Sequence, residues 1–166
     1  MPVEEERWEG WLAQHGPALV LFAGGWTACR ADAEDAVQEA FVRFWRSRDR
    51  AHDPLAYLYA CVKRAALERL RGEARRKRRE AAAAALESQE PWFADPLEGQ
   101  ERRAAIEAAL AQLPAEQREV LVLKLWGELT FAQIAEALGV PANTAASRYR
   151  YALARLRAQL AEETIR

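Results

Sequence analysis

The sequence predicts an all-α protein made of two small helical domains joined by a linker, the second ending in a helix-turn-helix. Three observations carry this reading. Alanine, leucine, glutamate and arginine recur through a 166-residue chain that is 51% hydrophobic and 30% charged, a composition typical of soluble helical proteins. Apolar residues return at three- and four-residue spacing behind helix-start signals. Proline and glycine gather at 88–99, which separates an expected first domain, 1–87, from a second, 100–166.

Each element has its own local reason. Pro17 after Gly16 suits the first turn of a helix through "ALVLFAGGW", interrupted at Gly24 and Gly25. Asp32 is expected to cap the next helix, with Asp35 in its acidic first turn and Val37, Ala40, Phe41 and Phe44 as its apolar stripe. In "HDP", Asp53 caps and Pro54 takes the first position of a helix whose Leu55, Leu58, Val62, Ala66 and Leu70 face inward. These three helices form one bundle. In the second domain a helix over about 100–112 is followed by another that Pro114 restarts and that runs to about Trp126.

The stretch "TFAQIAEALGVPANTAASRYR" comes next. Thr130 and Gln133 make a Thr-x-x-Gln capping box, Phe131, Ile134, Ala135 and Leu138 share one face, and Gly139 suits a left-handed turn. Val140 plugs the corner, Pro141 ends helix continuity, and Asn143 can cap the last helix. Ala145, Tyr149, Ala152, Leu153, Leu156 and Leu160 line its buried side, which leaves Thr144, Ser147, Arg148, Arg150 and Tyr151 outside. In a helix-turn-helix these first turns enter the major groove, where arginines and short polar groups meet phosphates and base edges. Ala146, being small, lets the backbone come close. A solvated helical hairpin is the plainer alternative, but the caps, the corner and the basic flank agree on DNA.

The formal net charge is only −1, yet this neutrality hides two basic blocks. One runs from Lys63 through Arg64, Arg69 and Arg71 to the run Arg75, Arg76, Lys77, Arg78 and Arg79; the other, from Pro141, carries Arg148, Arg150, Arg155, Arg157 and Arg166 against Glu162 and Glu163. Net charge governs solubility and steering, and a local surface can still bind an acidic partner.

No apolar run is long enough to cross a bilayer, and "MPVEEERWEG" is acidic where a secretory signal is basic and then apolar, so no membrane insertion and a cytoplasmic location are expected. Cys29 and Cys61 are too few and too far apart for a disulfide framework or a zinc site. His15 and His52 have no nucleophile motif beside them. No metal, cofactor or catalytic residue is therefore expected, and the chain does not read as an enzyme.

Taken in order, the motifs resemble bacterial RNA polymerase sigma factors of the compact extracytoplasmic-function, sigma-70-like family. "LPAEQREVLVLKLWGELTFAQIAEALGVPANTAASRYRYALARLR" is similar to their region 4, and "DAEDAVQEAFVRFWR" with "DPLAYLYACVKRAALERLRGEARRKR" is similar to region 2. The resemblance covers most of the chain outside the linker. It implies a factor that binds core RNA polymerase and directs promoter-specific initiation, reading two elements of promoter DNA and assisting opening, and it suggests an anti-sigma partner. Asn143, Thr144, Ala146, Ser147, Arg148, Arg150 and Tyr151 would meet the upstream, minus-thirty-five element. Lys63, Arg64, Glu68, Arg69 and Arg71 would meet the minus-ten element, with Arg48 and Arg50 in the capture loop 47–52. Asp35, Gln38, Glu39, Arg43 and Trp45 would dock on the polymerase clamp.

Two positions depart from the family pattern. Arg64 in "KRAALE" stands where members commonly carry asparagine, and Ala146 stands in place of a common lysine, so the promoter preference should be unusual. Two other classes of function fit parts of the sequence. A stand-alone helix-turn-helix regulator would bind DNA without polymerase as a stable dimer on a palindromic site. An interaction protein would occupy polymerase without directing initiation.

Overall fold

The structure, a computed structural model, describes residues 2–79 and 100–165. The expected linker at 88–99 and the end of the first domain lie outside these residues. Among the described residues, seven α-helices follow one another: α1 Pro2–Ala23, α2 Arg30–Ser47, α3 Pro54–Arg79, α4 Gln100–Gln112, α5 Ala115–Leu125, α6 Phe131–Leu138 and α7 Ala142–Ile165. A 3-10 turn, Arg48–Arg50, joins α2 to α3.

Helices α1 to α3 form the expected bundle, and the α2 stripe of Val37, Ala40, Phe41 and Phe44 is buried as its spacing predicts. Asp53 caps α3, its Oδ1 accepting from the Ala56 N–H at 3.0 Å. Buried positions of α3 end at Ala66, one turn before Leu70. Leu70 is 42% exposed rather than inward, because the helix runs on past the part of the bundle that covers it.

Three helix starts differ from the sequence reading. Helix α1 begins far upstream and passes straight through Pro17. An interior proline costs about 3 kcal/mol, but the upstream turns find aromatic cover: Trp8 meets the Phe41 ring at 4.4 Å and Trp45 at 5.4 Å, and Trp11 meets Phe44 at 5.6 Å. Helix α2 starts at Arg30 with Cys29 at its cap, so Asp32 sits inside the acidic first turn instead of capping it. Helix α7 starts at Ala142, with the Ala145 N–H donating to the Pro141 carbonyl at 3.0 Å, so Asn143 is a first-turn residue and not a cap.

The C-terminal half closes its own small cluster of Ala109, Leu110, Leu113, Leu121, Ala152 and Leu156. A larger cluster is continuous through both halves, joining Phe22, Phe41, Tyr59 and Val62 to Val120, Leu123, Leu129 and Ile134. The halves are thus packed on each other. Gly127 sits at a tight point of this packing. A Cβ there would lie 2.9 Å from the Tyr59 hydroxyl of α3 and 2.7 Å from the Leu123 carbonyl, so only glycine fits without a shift.

Candidate nucleic-acid interface

The helix-turn-helix is built by α6 and α7. Thr130 accepts from the Gln133 N–H at 3.2 Å while the Gln133 side chain accepts from the Thr130 N–H at 2.9 Å, so the reciprocal capping box is present. Gly139 ends α6 at φ 67° and ψ 36°, the left-handed conformation that a side chain would strain. Ile134 is buried, as is Ala137, which the sequence reading missed; Val140 packs against the core at the corner.

On α7, Ala145, Ala152 and Leu156 are buried, and Tyr149, Leu153 and Leu160 pack beside them. Asn143, Arg150 and Tyr151 are exposed, Tyr151 by 61%, and Thr144, Ala146, Ser147 and Arg148 are half-buried. The Arg150 guanidinium lies 5.9 Å from the Tyr151 ring, and Arg148 Nη2 lies 3.5 Å from Glu116 Oε2 of α5. These side chains stand together over the first turns of α7, with the Arg148 and Arg150 guanidinium groups among them.

The N-terminal half carries the second surface. Arg64 and Arg71 of α3 are exposed, and the helix continues through Arg75 and Arg76, which are exposed too. The side chains of Lys77, Arg78 and Arg79 lie outside the described residues. The residues assigned from sequence to polymerase and to DNA meet in one network across α2 and α3. Arg43 pairs with Glu39 at 2.8 Å and with Glu68 at 3.3 Å, while Arg69 stands 3.8 Å from Asp35 and 3.7 Å from Glu39. Gln38 is exposed beside them. The Arg43 pairs are exposed, and pairs of that kind contribute about 0–1 kcal/mol each, whereas Arg69 is half-buried.

Trp45 is only partly on the outer face, since Trp8 and Phe41 cover one side of it. Arg48 stacks over Trp45 with its guanidinium carbon 3.9 Å from the ring centre and donates to the Trp45 carbonyl. Arg50 is exposed at the end of the 3-10 turn. A cavity of about 240 Å³ opens here, lined by Arg7, Trp11, Phe44, Trp45, Arg48, Asp49 and Pro54. Within it the Trp45 ring is covered by Arg48 on one side and by Phe41 and Trp8 on the other, and Phe44 is buried.

Lys63 departs from the pattern. It is half-buried, its Nζ 2.9 Å from Glu119 Oε2 of α5 and 5.5 Å from the Trp26 ring. Glu119 is only 6% exposed, and burial holds its carboxyl above the usual carboxylate range against the opposing pull of Lys63. Sequence reasoning missed Glu119, whose position on α5 carries no local sign that a lysine from another helix will cover it. For the same reason it missed Arg118, whose Nη2 donates to the Leu21 carbonyl at 3.2 Å, and the bond that Gln133 Nε2 donates to Asp53 Oδ2 at 3.0 Å.

Among the described residues no group of three or more histidine, cysteine or acidic side chains could hold a metal, and no helix is long and apolar enough to cross a membrane. Cys29 and Cys61 are free thiols, Cys61 buried and pushed up by that burial.

Comparison with known proteins places the chain in a family. The family model described as Sigma-70 region 2 matches residues 11–76, and that described as Sigma-70, region 4 matches residues 103–156. The chain is 35% identical over 153 residues to the ECF RNA polymerase sigma factor SigJ of Mycobacterium tuberculosis (strain ATCC 25618 / H37Rv), covering 86% of this chain and 47% of that protein, so it spans about half of SigJ. It is 32% identical over 155 residues to the ECF RNA polymerase sigma factor SigL of Mycobacterium tuberculosis (strain ATCC 25618 / H37Rv), covering 90% of this chain and 86% of SigL. In fold it is similar to the sigma factor RpoE of Bartonella quintana, solved in complex with the anti-sigma factor NepR, at a TM-score of 0.69 and 23% identity over 93% of this chain and 97% of that one. With regions 2 and 4 in order and a relative such as SigL covered nearly end to end, the chain belongs to the ECF RNA polymerase sigma factors.

Proposed function

We propose that this chain, as a sigma factor, binds core RNA polymerase and directs promoter-specific initiation through the two surfaces described above. One observation carries the assignment of surfaces: a single chain presents two separate cationic helical faces, one on the part matched by region 2 and one on the part matched by region 4. The α7 face, Asn143 to Tyr151, reads the minus-thirty-five element. Arg64, Arg69 and Arg71 of α3 neutralise phosphates near the minus-ten element, with Arg48 and Arg50 in the turn before α3. The outer face of α2, with Asp35, Gln38, Glu39 and Arg43, docks on the polymerase clamp.

The factor does no bond chemistry of its own and works in the cytoplasm, beside the polymerase. Polymerase supplies most of the binding surface, which is why a chain with a net charge of −1 suffices. Two weak DNA contacts on one assembly act together, because the second forms at high effective concentration. By extension from the RpoE–NepR structure, an anti-sigma protein is expected to compete for these faces.

Fluorescence anisotropy with labelled promoter duplexes tests the reading. The chain alone should bind weakly and without sequence preference, and the complex with core polymerase should bind tightly. Arg148→Ala and Arg150→Ala should each lower the salt dependence of upstream-element binding by about 0.9 in log–log slope for every phosphate that is no longer neutralised. Tight, specific duplex binding by a dimer of the free chain would favour a stand-alone regulator instead.

A further inference from the structure

We propose that Asn143 and Arg150 are the base-reading pair of α7, Asn143 for an adenine and Arg150 for a guanine, and that Arg148 stands aside from them as the brace that seats the helix. The inference rests on the reading that α7 enters the major groove of the upstream element, and it adds which bases that element holds. Two things separate readers from supports on this surface: where each residue lies around the helix, and what already holds it.

Ala145, Ala152 and Leu156 are buried and mark the inward side of α7. At about 3.6 residues per turn the opposite side is the line through Asn143, Ser147 and Arg150, and on that line Asn143 and Arg150 are exposed while Ser147 between them is half-buried. Thr144, Ala146 and Arg148 lie on the flanks, half-buried. From Asn143 to Arg150 the helix makes about two turns, so the two side chains leave it almost in line and about 10 Å apart, at about 1.5 Å per residue. That is roughly three base-pair steps of about 3.4 Å each.

The helix start decides what Asn143 can do. Because α7 begins at Ala142, with the Ala145 N–H donating to the Pro141 carbonyl, the Asn143 amide is not spent on a cap. Its carbonyl and NH2 match the N6 and N7 atoms of adenine as a bidentate pair. The Arg150 guanidinium lies 5.9 Å from the ring of Tyr151, itself 61% exposed, a loose contact on the solvent side. Its fork matches O6 and N7 of guanine. Arg148 is placed otherwise. Its side chain is 25% exposed with Nη2 3.5 Å from Glu116 of α5, and its charge also reaches Glu119, where it opposes the upward push of burial on that carboxyl. An arginine facing two carboxylates of a neighbouring helix ties α7 to α5 and has at most its outer edge left for a backbone phosphate, a contact that carries no sequence information.

Core polymerase assembled with the full chain is selected against a promoter library randomised over both elements, and the bound sequences are read. Wild type should enrich an upstream element with an adenine and a guanine about three base pairs apart. Asn143→Ala should lose the preference for that adenine and Arg150→Ala the preference for that guanine, each by about 5- to 150-fold in discrimination, with the other position kept. Exchange variants give a readout that a structural role would not move: Arg150→Gln should turn the preferred guanine into adenine, and Asn143→Asp the preferred adenine into cytosine. Arg148→Ala should weaken all upstream sequences alike and leave the preferred bases unchanged.

Circular dichroism checks that each variant is folded. A wild-type element without that pair, Asn143 and Arg150 variants that weaken every sequence evenly, or a base preference lost in Arg148→Ala would overturn the assignment. Should wild type enrich no upstream sequence at all, the functional reading falls and the assignment with it. An enriched element whose bases the Asn143 and Arg150 variants leave as they were overturns the assignment alone.

Discussion

Single residues at the junction of the halves show how burial and chemistry oppose each other. The Tyr59 side chain is fully buried, its hydroxyl has no partner, and burial raises its pKa well above the ordinary phenol value. An unsatisfied buried hydroxyl costs about 1–3 kcal/mol, so Tyr59→Phe should stabilise the free chain by about 1 kcal/mol and raise Tm by about 2–4 °C. A lower Tm in a thermal melt would mean that the hydroxyl is satisfied in solution. Glu119 gives a second test, through pH. Desolvation raises its carboxyl in the folded state despite the hydrogen bond and charge of Lys63. A carboxyl raised on folding contributes stability that is fully present below the ordinary carboxylate range and is lost as pH rises through the raised value. Glu119→Gln has no such titration, so the stability of the variant relative to wild type should grow between about pH 4 and neutrality. A difference that stays flat in denaturant titrations across that range would place Glu119 in water.

At the scale of elements, local signals and distant ones divide what the sequence could tell. Thr130 with Gln133, Asp53 with Pro54, and Gly139 each act on a backbone within four residues, and each element bound they predict is present. Thr130→Ala should cost about 1 kcal/mol, typical of a lost N-cap, and Gly139→Ala about 1–2 kcal/mol from the left-handed backbone alone, since nothing lies within 4 Å of a Cβ there. Chemical denaturation checks both; a neutral Gly139→Ala would show that the turn relaxes. The start of α1 was not legible, because helix continues through Pro17 only where Phe41, Phe44 and Trp45 of α2 cover Trp8 and Trp11. No local pattern carries that information. The candidate site divides the same way: the exposed residues of α7 follow from helical spacing, whereas the hold of Glu119 on Lys63 depends on two helices meeting from distant parts of the chain.

For the whole molecule the question is how a near-neutral chain handles DNA. Thirteen of its 24 lysines and arginines lie on α3 and α7, and two of these, Arg69 and Arg148, are half-buried beside acidic side chains of α2 and α5. In the free chain Lys63 of α3 is covered by Glu119 of the C-terminal half. On the proposed function, affinity resides in the assembly with polymerase and specificity in the two faces. The measurement that tests this most directly is run-off transcription with purified core polymerase on a promoter library, with and without the chain. Transcripts should start at a defined set of sequences only when the chain is present, and that set should change with Arg64→Asn or Ala146→Lys. Transcription that starts no differently when the chain is added would contradict the account.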